Sequence, residues 1–440
     1  MVPSVAHTSA NAASSNPEAS LASLKRRGRI KAIYILALVS SISLLCYYDR
    51  FVVAIVAQSI KADLHVSDGE IGLLSGLGFA VVYSVMAVPI ARFSDSGRRV
   101  KTLSISLAFW SLMTALCGAA TSFPMLLLAR LGVGLGEAGG NPTMHALVSE
   151  TFEKRWRGTA ISIVVVAGGL GFMAASSVGG WIVDHWGWRA AFFAGAVPGP
   201  LLALLLWGTV REPKVANPVA DERGILTSSK ILLKRRAFKM LCVGLSICTI
   251  GSFAMMSWTP AYLMRHFNIT ASQVGSGYGL TMGVSTVAAM LVGGILADTL
   301  AKRDPRWSLW LPAASYVVAL PFTVAFLLQS NLANALLLVA PMTFAAGLAT
   351  PPAYALVQSL SGSKLRATGA ALFLLFTNLI GMGVGPSLTG IVSDMFTHFL
   401  GADALRGAMA LVASAYLIGA CVMISGARTL IADIESADKN

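Results

Sequence analysis

The sequence carries little charge for its length. Only 12% of the 440 residues are charged, whereas about a quarter of the residues of a soluble domain are charged. Hydrophobic residues make up 55% of the chain, and the mean hydropathy is +0.71. A chain of this composition cannot have water as its main solvent, so a soluble globular fold is excluded.

Motifs for catalysis, metal binding and nucleotide hydrolysis are also missing. There is no phosphate-binding loop of the Walker type, which argues against an ATP-driven pump. No set of His, Cys and acidic residues has metal-ligand spacing, and no Ser, His and Asp set has a supporting turn motif. We therefore expect no enzymatic activity, no metal and no cofactor. The five cysteines lie in apolar segments, so we expect them to pack rather than form disulfides.

Long apolar stretches are abundant. A helix needs about 20 apolar residues to cross the hydrocarbon layer of a membrane. Such stretches recur twelve times and lack the strict alternation of barrel strands, so we predict an all-α membrane protein with twelve transmembrane helices. The predicted spans are residues 32–58, 70–91, 101–120, 124–150, 158–183, 190–209, 240–264, 274–299, 308–329, 333–359, 367–392 and 405–427.

Basic residues are concentrated on one side of these spans. Most of the 33 Lys and Arg residues lie on the side that holds both termini, and only Lys61, Arg189, Arg265 and Arg406 lie on the other. The positive-inside rule therefore places both termini in the cytoplasm. We expect the chain to lie in the inner (plasma) membrane of the cell. The net charge of +13 then indicates contact with anionic membrane lipids rather than with nucleic acid.

Polarity within the chain predicts its division into domains. We expect a disordered cytoplasmic N-terminus, a six-helix bundle, a cytoplasmic linker, a second six-helix bundle and a cytoplasmic tail. Their predicted ranges are residues 1–30, 31–210, 211–239, 240–428 and 429–440.

Three landmarks recur in the two halves. Asp95 lies at the end of the second helix as Asp298 lies at the end of the eighth, each with Arg or Lys soon after. Arg157 precedes the fifth span as Arg366 precedes the eleventh. The run from Gly180 to Asp184 matches the run from Gly390 to Asp394. Such repetition predicts two pseudo-symmetric bundles.

These landmarks resemble the major facilitator superfamily, with the likeness covering residues from about 30 to 428. The Asp95 and Asp298 loops resemble the family's signature, although Ala91 and Ser96 depart from it in the first copy. The resemblance implies the major facilitator fold and a role in conformational gating for Asp95, Arg98, Arg99, Asp298, Arg157 and Arg366.

Other motifs resemble the spinster branch of this family. They are Tyr48-Asp49-Arg50, Trp110 to Thr114, Arg130 to Ala138 with the acidic residue Glu137 inside it, and Trp258-Thr259-Pro260. Animal members of that branch export sphingosine 1-phosphate or lysophospholipids, so the resemblance implies an amphiphilic anion. Transporters of sugar acids and phosphates share the Asp-Arg and Glu-Ala pairs, so small organic acids remain an alternative class of substrate. Ala175 and Ser176 replace the Gly-Pro of drug antiporters, which disfavours a multidrug exporter without excluding it.

Four ionisable residues stand out inside the first-half spans: Asp49, Arg50, Arg130 and Glu137. Because such residues are costly in a membrane, they normally face a partner or an aqueous cavity. Arg130, Glu137 and Asn141 share one helical stripe, which we expect to face the central cavity. Gly132, Gly136 and Gly140 form a second stripe, which should pack closely against another helix.

The charged residues suggest a coupling mechanism. Asp49 and Arg50 point about 100° apart, so we expect pairs between Asp49 and Arg130 and between Arg50 and Glu137. Burial favours the protonated form of a carboxyl group, and an adjacent Arg favours the ionised form. An anion on Arg50 or Arg130 would then let Glu137, or Asp49, take up a proton. The alternative is a fixed network that only holds the helices together.

Polar and aromatic residues in the second half are further candidates for substrate binding: Trp258, Tyr262, Tyr278 and Asn378. Packing and interface anchoring remain the alternative for each. Gly381, Gly383, Gly385 and Pro386 predict a bendable helix. His145 lies off the Glu137 stripe and is expected to contact a headgroup or loop.

Together these features predict a secondary active transporter that works by alternating access. We expect coupling to protons and an organic anion, amphiphilic or lysolipid-like, as substrate. A proton symporter for small organic acids is the alternative, and a non-transporting receptor or scaffold is a further one. We expect protons, membrane lipids and the substrate as partners, and a monomer.

Overall fold

The computed structural model describes residues 17–212 and 225–438, and within these ranges it contains helices and no strand. Nine of the described helical segments are long and apolar enough to cross a membrane. Two of them, Lys154–Thr209 with 56 residues and Thr368–Gly426 with 59, are long enough for two crossings each. Phe123–Glu137 and Gly140–Thr151 form a further, interrupted crossing. The predicted twelve crossings are confirmed.

The first half contains eight helices, some of them pieces of one crossing. They are α1 (Pro17–Leu64), α2 (Asp68–Ser75), α3 (Leu77–Asp95), α4 (Arg99–Gly118), α5 (Phe123–Glu137), α6 (Gly140–Thr151), α7 (Lys154–Ala196) and α8 (Pro198–Thr209). Helix α7 turns back at Gly187, whose φ of 80° favours glycine, so one continuous segment supplies two crossings.

The second half follows a short helix in the predicted linker, α9 (Ile225–Lys234). Its helices are α10 (Arg236–Phe267), α11 (Ala271–Val274), α12 (Leu280–Ala301), α13 (Trp307–Leu327), α14 (Leu332–Gly347), α15 (Thr350–Phe376), α16 (Gly385–Leu400), α17 (Ala404–Ala413), α18 (Ala415–Gly426) and the tail helix α19 (Leu430–Asp438). Two π-helical segments, Gly275–Gly279 and Thr377–Val384, interrupt the eighth and eleventh crossings. The second lies where glycines predicted a bendable helix.

Helices occur near both ends of the described chain. Helix α1 begins at Pro17 and continues into the first membrane span. The predicted division into domains stays a prediction. The expectation of disorder for residues 1–16 falls outside the described residues, as do residues 213–224 of the predicted linker. Residues 430–438 of the predicted tail form α19.

The glycine stripe of the fourth crossing packs as predicted. A Cβ atom on Gly132 would lie 2.5 Å from the sulfur of Met113, and one on Gly136 would lie 2.6 Å from the Cβ of Trp110. Both partners belong to α4. The glycines therefore let α5 press against α4, which leaves the other stripe of α5 free to carry the polar residues.

Candidate functional site

Arg50 and Glu137 form a buried ion pair between α1 and α5. The Arg50 Nη2 and Nε atoms donate to Glu137 Oε2 over 2.7 and 3.2 Å, and the thiol of Cys46 donates to the same oxygen over 3.4 Å. The Glu137 side chain is fully buried, whereas Arg50 remains 11% exposed. Arg50 is thus the member of the pair that an incoming ligand meets first.

Aromatic rings surround the Arg50 guanidinium. Its Cζ atom lies 5.4 Å from the ring centre of Tyr47, 5.2 Å from that of Phe79 and 4.8 Å from that of Tyr83. Arg130 lies on the ring of Phe79 at 5.3 Å. These contacts favour a cation and hold the guanidinium in one place.

Asp49 and Arg130 are in contact but do not form the expected ion pair. Arg130 Nη1 donates to the backbone carbonyl of Asp49 over 3.2 Å, and no carboxylate contact within salt-bridge distance accompanies it. Both side chains are buried, with Arg130 2% and Asp49 0% exposed. The two residues are in contact, but Arg130 binds the main-chain carbonyl of Asp49 rather than its carboxylate.

The Asp49 carboxylate lies in a buried polar cluster. The indole N–H of Trp110 and the hydroxyl of Thr114 are close enough to interact with it. Neither makes a hydrogen bond of good geometry, and both Asp49 oxygens and Glu137 Oε1 also lack a partner among the residues that the structure describes. Burying an unpaired carboxylate is costly, so this cluster suits a group that can bind a proton.

Three second-half candidates for substrate binding direct their polar atoms at backbone carbonyls within the protein. Trp258 Nε1 donates to the carbonyl of Pro386 over 2.9 Å, and the Tyr262 hydroxyl donates to that of Leu327 over 3.0 Å. The Tyr278 hydroxyl lies 3.5 Å from the carbonyl of Met256. All three side chains are at most 2% exposed. In this conformation they pack helices, and their role in substrate binding stays a prediction.

Asn141 and Asn378 are half-buried, Asn141 in α6 and Asn378 in the second π-helical segment. His145 is also half-buried. Their roles stay predictions too.

The two halves are joined at one end of the molecule. We call the end near residues 64–68 and 267–271 the distal end, and the opposite one the terminus end. Eleven hydrogen bonds join the halves among the described side chains and backbone, and these eleven lie at the distal end. Arg50 precedes Gln58, the α1 residue that joins these contacts, and so lies on their terminus side.

The first distal contact joins α7 to α11. Asp184 accepts hydrogen bonds from the backbone N–H groups of Ala271 and Ser272, at 3.2 and 2.9 Å, and thereby caps the helix start. Ser177 donates to the carbonyl of Gly275 over 3.0 Å. The absence of a side chain at Gly180 lets the backbones meet, because a Cβ there would collide with the Ala271 carbonyl.

The second distal contact repeats the first with the halves exchanged. Asp394 of α16 accepts from the backbone N–H groups of Asp68 and Gly69 of α2, at 3.0 and 2.7 Å. Ser387 donates to the carbonyl of Gly72 over 3.1 Å, and a Cβ on Gly390 would collide with the carbonyl of Asp68. The repeated run that ends in Asp184 and Asp394 thus forms two equivalent clamps.

Asp68 adds an ionic hub to the second clamp. Arg265 Nη1 and Nη2 donate to its two oxygens over 2.7 and 2.6 Å, Lys61 donates over 2.5 Å, and Ser393 donates over 2.7 Å. The Asp68 side chain is 4% exposed. In the first clamp, the residue that corresponds to Asp68 is Ala271, which cannot form ion pairs. The second clamp is therefore the stronger of the two.

The predicted gating residues lie at the terminus end, where three of them make contacts within the first half. Arg99 pairs with Glu150, and Arg157 Nε donates to the carbonyl of Phe152 over 3.1 Å. Arg98 lies on the ring of Phe93. Asp298 and Arg366 are exposed, and the side chain of Asp95 is outside the described set. Their gating role stays a prediction.

Comparison with known proteins identifies the family. A family model described as Major Facilitator Superfamily matches residues 39–386. The chain belongs to the major facilitator superfamily. Members of this superfamily are multi-pass membrane transporters of small molecules and are not enzymes, so both of these expectations are confirmed for the chain.

Three relatives define the position of this transporter within the superfamily. An MFS-type efflux pump of Mycolicibacterium smegmatis is 36% identical and aligns with 90% of this chain and 92% of its own. Protein spinster homolog 1 of Xenopus tropicalis is 27% identical, covering 82% of this chain and 73% of its own. A probable L-galactonate transporter of Escherichia coli is 24% identical, covering 85% and 86%.

A solved structure agrees with these relatives. It is the crystal structure of a bacterial homolog of the human lysosomal transporter Spinster in an inward-facing and unoccupied conformation, with a TM-score of 0.83 and 27% identity. The match covers 91% of this transporter and 98% of that chain. The fold and the resemblance to the spinster branch are confirmed.

Several residues of the site escaped the sequence-based search. Tyr47 and Cys46 lie three and four residues before Arg50, on the same face of α1, and helical spacing from Arg50 could have found them. Phe79 and Tyr83 are spaced by four residues in α3, but nothing in the sequence indicates which helix they approach.

Proposed function

We propose that this transporter moves an organic anion by alternating access and couples it to protons through Arg50 and Glu137. The Arg50–Glu137 pair carries the proposal, because a ligand can reach only the cation while the carboxylate is fully buried. An anion that binds Arg50 competes with Glu137 for the same donors. Its arrival would leave a buried carboxylate without its cation, which costs about 3–5 kcal/mol unless the charge is removed.

A proton removes that charge. Glu137 Oε1 has no partner among the described residues, so a proton there displaces no existing bond. The Asp49 carboxylate offers a second buried position of the same kind. Anion binding and protonation then favour each other, and by linkage a low pH strengthens anion binding as much as the anion strengthens proton binding.

The arrangement of the halves supports alternating access. The distal end is held shut by the two clamps and the Asp68 hub, and Arg50 lies on the terminus side of these contacts. With both termini in the cytoplasm of the plasma membrane, as the distribution of basic residues indicates, this is an inward-open state. The helix breaks at Thr377–Val384 and Gly275–Gly279 supply points at which the eleventh and eighth crossings can bend.

For the substrate, we favour an amphiphilic anion of the lysolipid type. Aromatic rings beside a guanidinium suit an anionic headgroup joined to an apolar body, and the similarity to spinster proteins points the same way. The efflux-pump relative favours export. Small organic acids are the second candidate, since a probable L-galactonate transporter is also similar.

Calorimetric binding to the purified chain tests the anion site. The probes are 1-oleoyl-lysophosphatidate, L-galactonate and uncharged monoolein. We expect one of the two anions to bind and monoolein to bind at least tenfold more weakly. Arg50→Gln should abolish anion binding, whereas Arg406→Gln, which removes a distal surface pair with Asp403, should not change it. Equal binding of all three probes, or full binding by Arg50→Gln, would refute the proposal.

A further inference from the structure

Cys46 contacts both members of the Arg50–Glu137 pair. Its thiol donates to Glu137 Oε2 over 3.4 Å, and its sulfur accepts from Arg50 Nη2 over 3.8 Å. Cys46 lies four residues before Arg50, on the same face of α1, and is 0% exposed. Because its side chain is short and fixed by its own turn of α1, Cys46 stays beside Glu137 when the longer Arg50 side chain turns to an anion.

The two oxygens of Glu137 are unequal as a result. Oε2 accepts two hydrogen bonds from Arg50 and one from Cys46, whereas Oε1 has no partner among the described residues. A proton on Oε2 would face the thiol proton, while a proton on Oε1 would meet no donor. The thiol therefore directs the proton to Oε1, and it remains bonded to Oε2 after Arg50 has left.

A second buried thiol shows what is particular to Cys46. Cys248 of α10 is also 0% exposed, and its thiol donates to the backbone carbonyl of Tyr416 over 3.5 Å. A carbonyl stays neutral at every pH, whereas Glu137 is either charged or neutral. A hydrogen bond to a charged acceptor is stronger than one to a neutral acceptor. The Cys46 bond thus weakens when Glu137 is protonated, and the Cys248 bond does not change.

We propose that Cys46 is a positioning residue that sets the proton affinity of Glu137 while an anion occupies Arg50. This inference rests on the proposed function. A hydrogen bond to the ionised form of a carboxyl group favours that form, and a thiol is a weak donor. Cys46 therefore keeps the abandoned carboxylate ionised over part of the pH range, without holding it as firmly as Arg50 does. Without the thiol, Glu137 should take up its proton at a higher pH.

The other charged and titratable groups near the pair come from neighbouring helices. They are Tyr47, Asp49 and Arg50 of α1, Tyr83 of α3, and Arg130 of α5, with His145 of α6 about two turns beyond Glu137 and off its stripe. Helix α4 presents Met113 and Trp110 to the glycine face of α5, and neither of these titrates. All of these groups are the same in every Cys46 variant, so a pH shift among the variants reports on the thiol.

The first test measures binding of 1-oleoyl-lysophosphatidate and L-galactonate to the full-length chain by calorimetry over a range of pH. In the wild type, affinity for the anion that binds should fall as the pH rises. We expect Cys46→Ala to move the midpoint of this fall upward by about 0.5–1 pH unit, a three- to tenfold change in proton affinity. Cys46→Ser keeps a donor, so its midpoint should lie at or below that of the wild type. Cys248→Ala, the matched control, should keep the wild-type midpoint.

The second test reads the thiol directly in the wild type. The infrared S–H stretching band lies where other protein groups absorb little, and its frequency falls as the bond that the thiol donates becomes stronger. The band of Cys46 is identified as the one that Cys46→Ser lacks. Adding the anion at low pH should move this band to higher frequency, because Glu137 becomes neutral. In Glu137→Gln the anion should cause no such upward shift.

The alternative outcomes separate this inference from the proposed function. If Cys46→Ala keeps the wild-type midpoint while Arg50→Gln does not bind, the Cys46 inference is wrong and the anion site stands. An equal rise in Cys46→Ala and Cys46→Ser would assign the effect to packing and also overturn the inference. If Cys46→Ala does not fold, the infrared test decides, and an unmoved band overturns the inference. If neither anion binds the wild type, or Arg50→Gln binds normally, the proposed function fails and the inference fails with it.

Discussion

Replacing Asp68 with Asn should open the distal end of the molecule. Asp68 accepts two hydrogen bonds from Arg265 of the other half, one from Lys61 and one from Ser393. An Asn amide presents N–H groups to some of these donors and carries no charge. The bonds to Arg265 and Ser393 join the two halves, so their loss raises the free energy of the closed distal end in particular.

The size of the effect follows from the burial of the hub. Hydrogen bonds to charged groups contribute about 1.5–3 kcal/mol each when one partner is lost. Because Arg265 and Lys61 are 26% and 35% exposed, water recovers part of that energy, and we expect a net cost of about 2 kcal/mol. This corresponds to roughly a 30-fold shift in the equilibrium toward the distal-open state.

Spin-label distances measure this shift. Thr121→Cys and Ala402→Cys place labels at exposed distal positions of the two halves, Thr121 in a loop and Ala402 in the short 3-10 helix Gly401–Asp403, in a background where the exposed Cys421 is replaced by Ser. Asp68→Asn should add or enlarge a long-distance population. The matched control is Asp63→Asn, since Asp63 pairs with Arg189 inside the first half and is half-exposed. An unchanged distance distribution in Asp68→Asn, or the same change in Asp63→Asn, would refute this account of the distal closure.

Two glycine substitutions make further predictions. Gly390→Ala places a methyl group against the carbonyl at the start of α2 and should also lengthen the spin-label distances, whereas Gly169→Ala, which meets nothing within 4 Å, should leave them unchanged. Gly136→Ala puts its Cβ 2.6 Å from that of Trp110 and should destabilise the first half by about 1–3 kcal/mol. Calorimetric melting checks this, and Gly158→Ala, which faces open space, should melt no lower than the wild type.

The architecture was largely accessible from the sequence because the membrane limits the choice of structures. Apolar length fixes the crossings, and internal repetition fixes the two bundles. Helical spacing also separated the glycine face of α5 from the face that carries Glu137, and it led to the pairing of Arg50 with Glu137. These inferences depend only on residue spacing within one helix or on the pairing of two helices.

The remainder depends on contacts that side-chain identity does not reveal. The sequence shows Asp184 and Asp394 as matched positions, but their partners are backbone N–H groups, which every residue except proline has. For Arg130, the sequence suggested the Asp49 carboxylate, and the structure places the Asp49 carbonyl within reach instead. The aromatic surroundings of Arg50 require the relative rotation of α1 and α3, which spacing within either helix cannot supply.

The most direct test of coupling through Glu137 is transport by proteoliposomes that contain the wild type or Glu137→Gln, with 1-oleoyl-lysophosphatidate and L-galactonate as substrates. Each protein is assayed with a pH gradient and in gradient-free exchange. We predict that the wild type accumulates one anion against its gradient when a pH gradient is present. Glu137→Gln should lose this accumulation and keep exchange, because Gln remains neutral throughout the cycle. Full gradient-driven accumulation by Glu137→Gln would contradict the account.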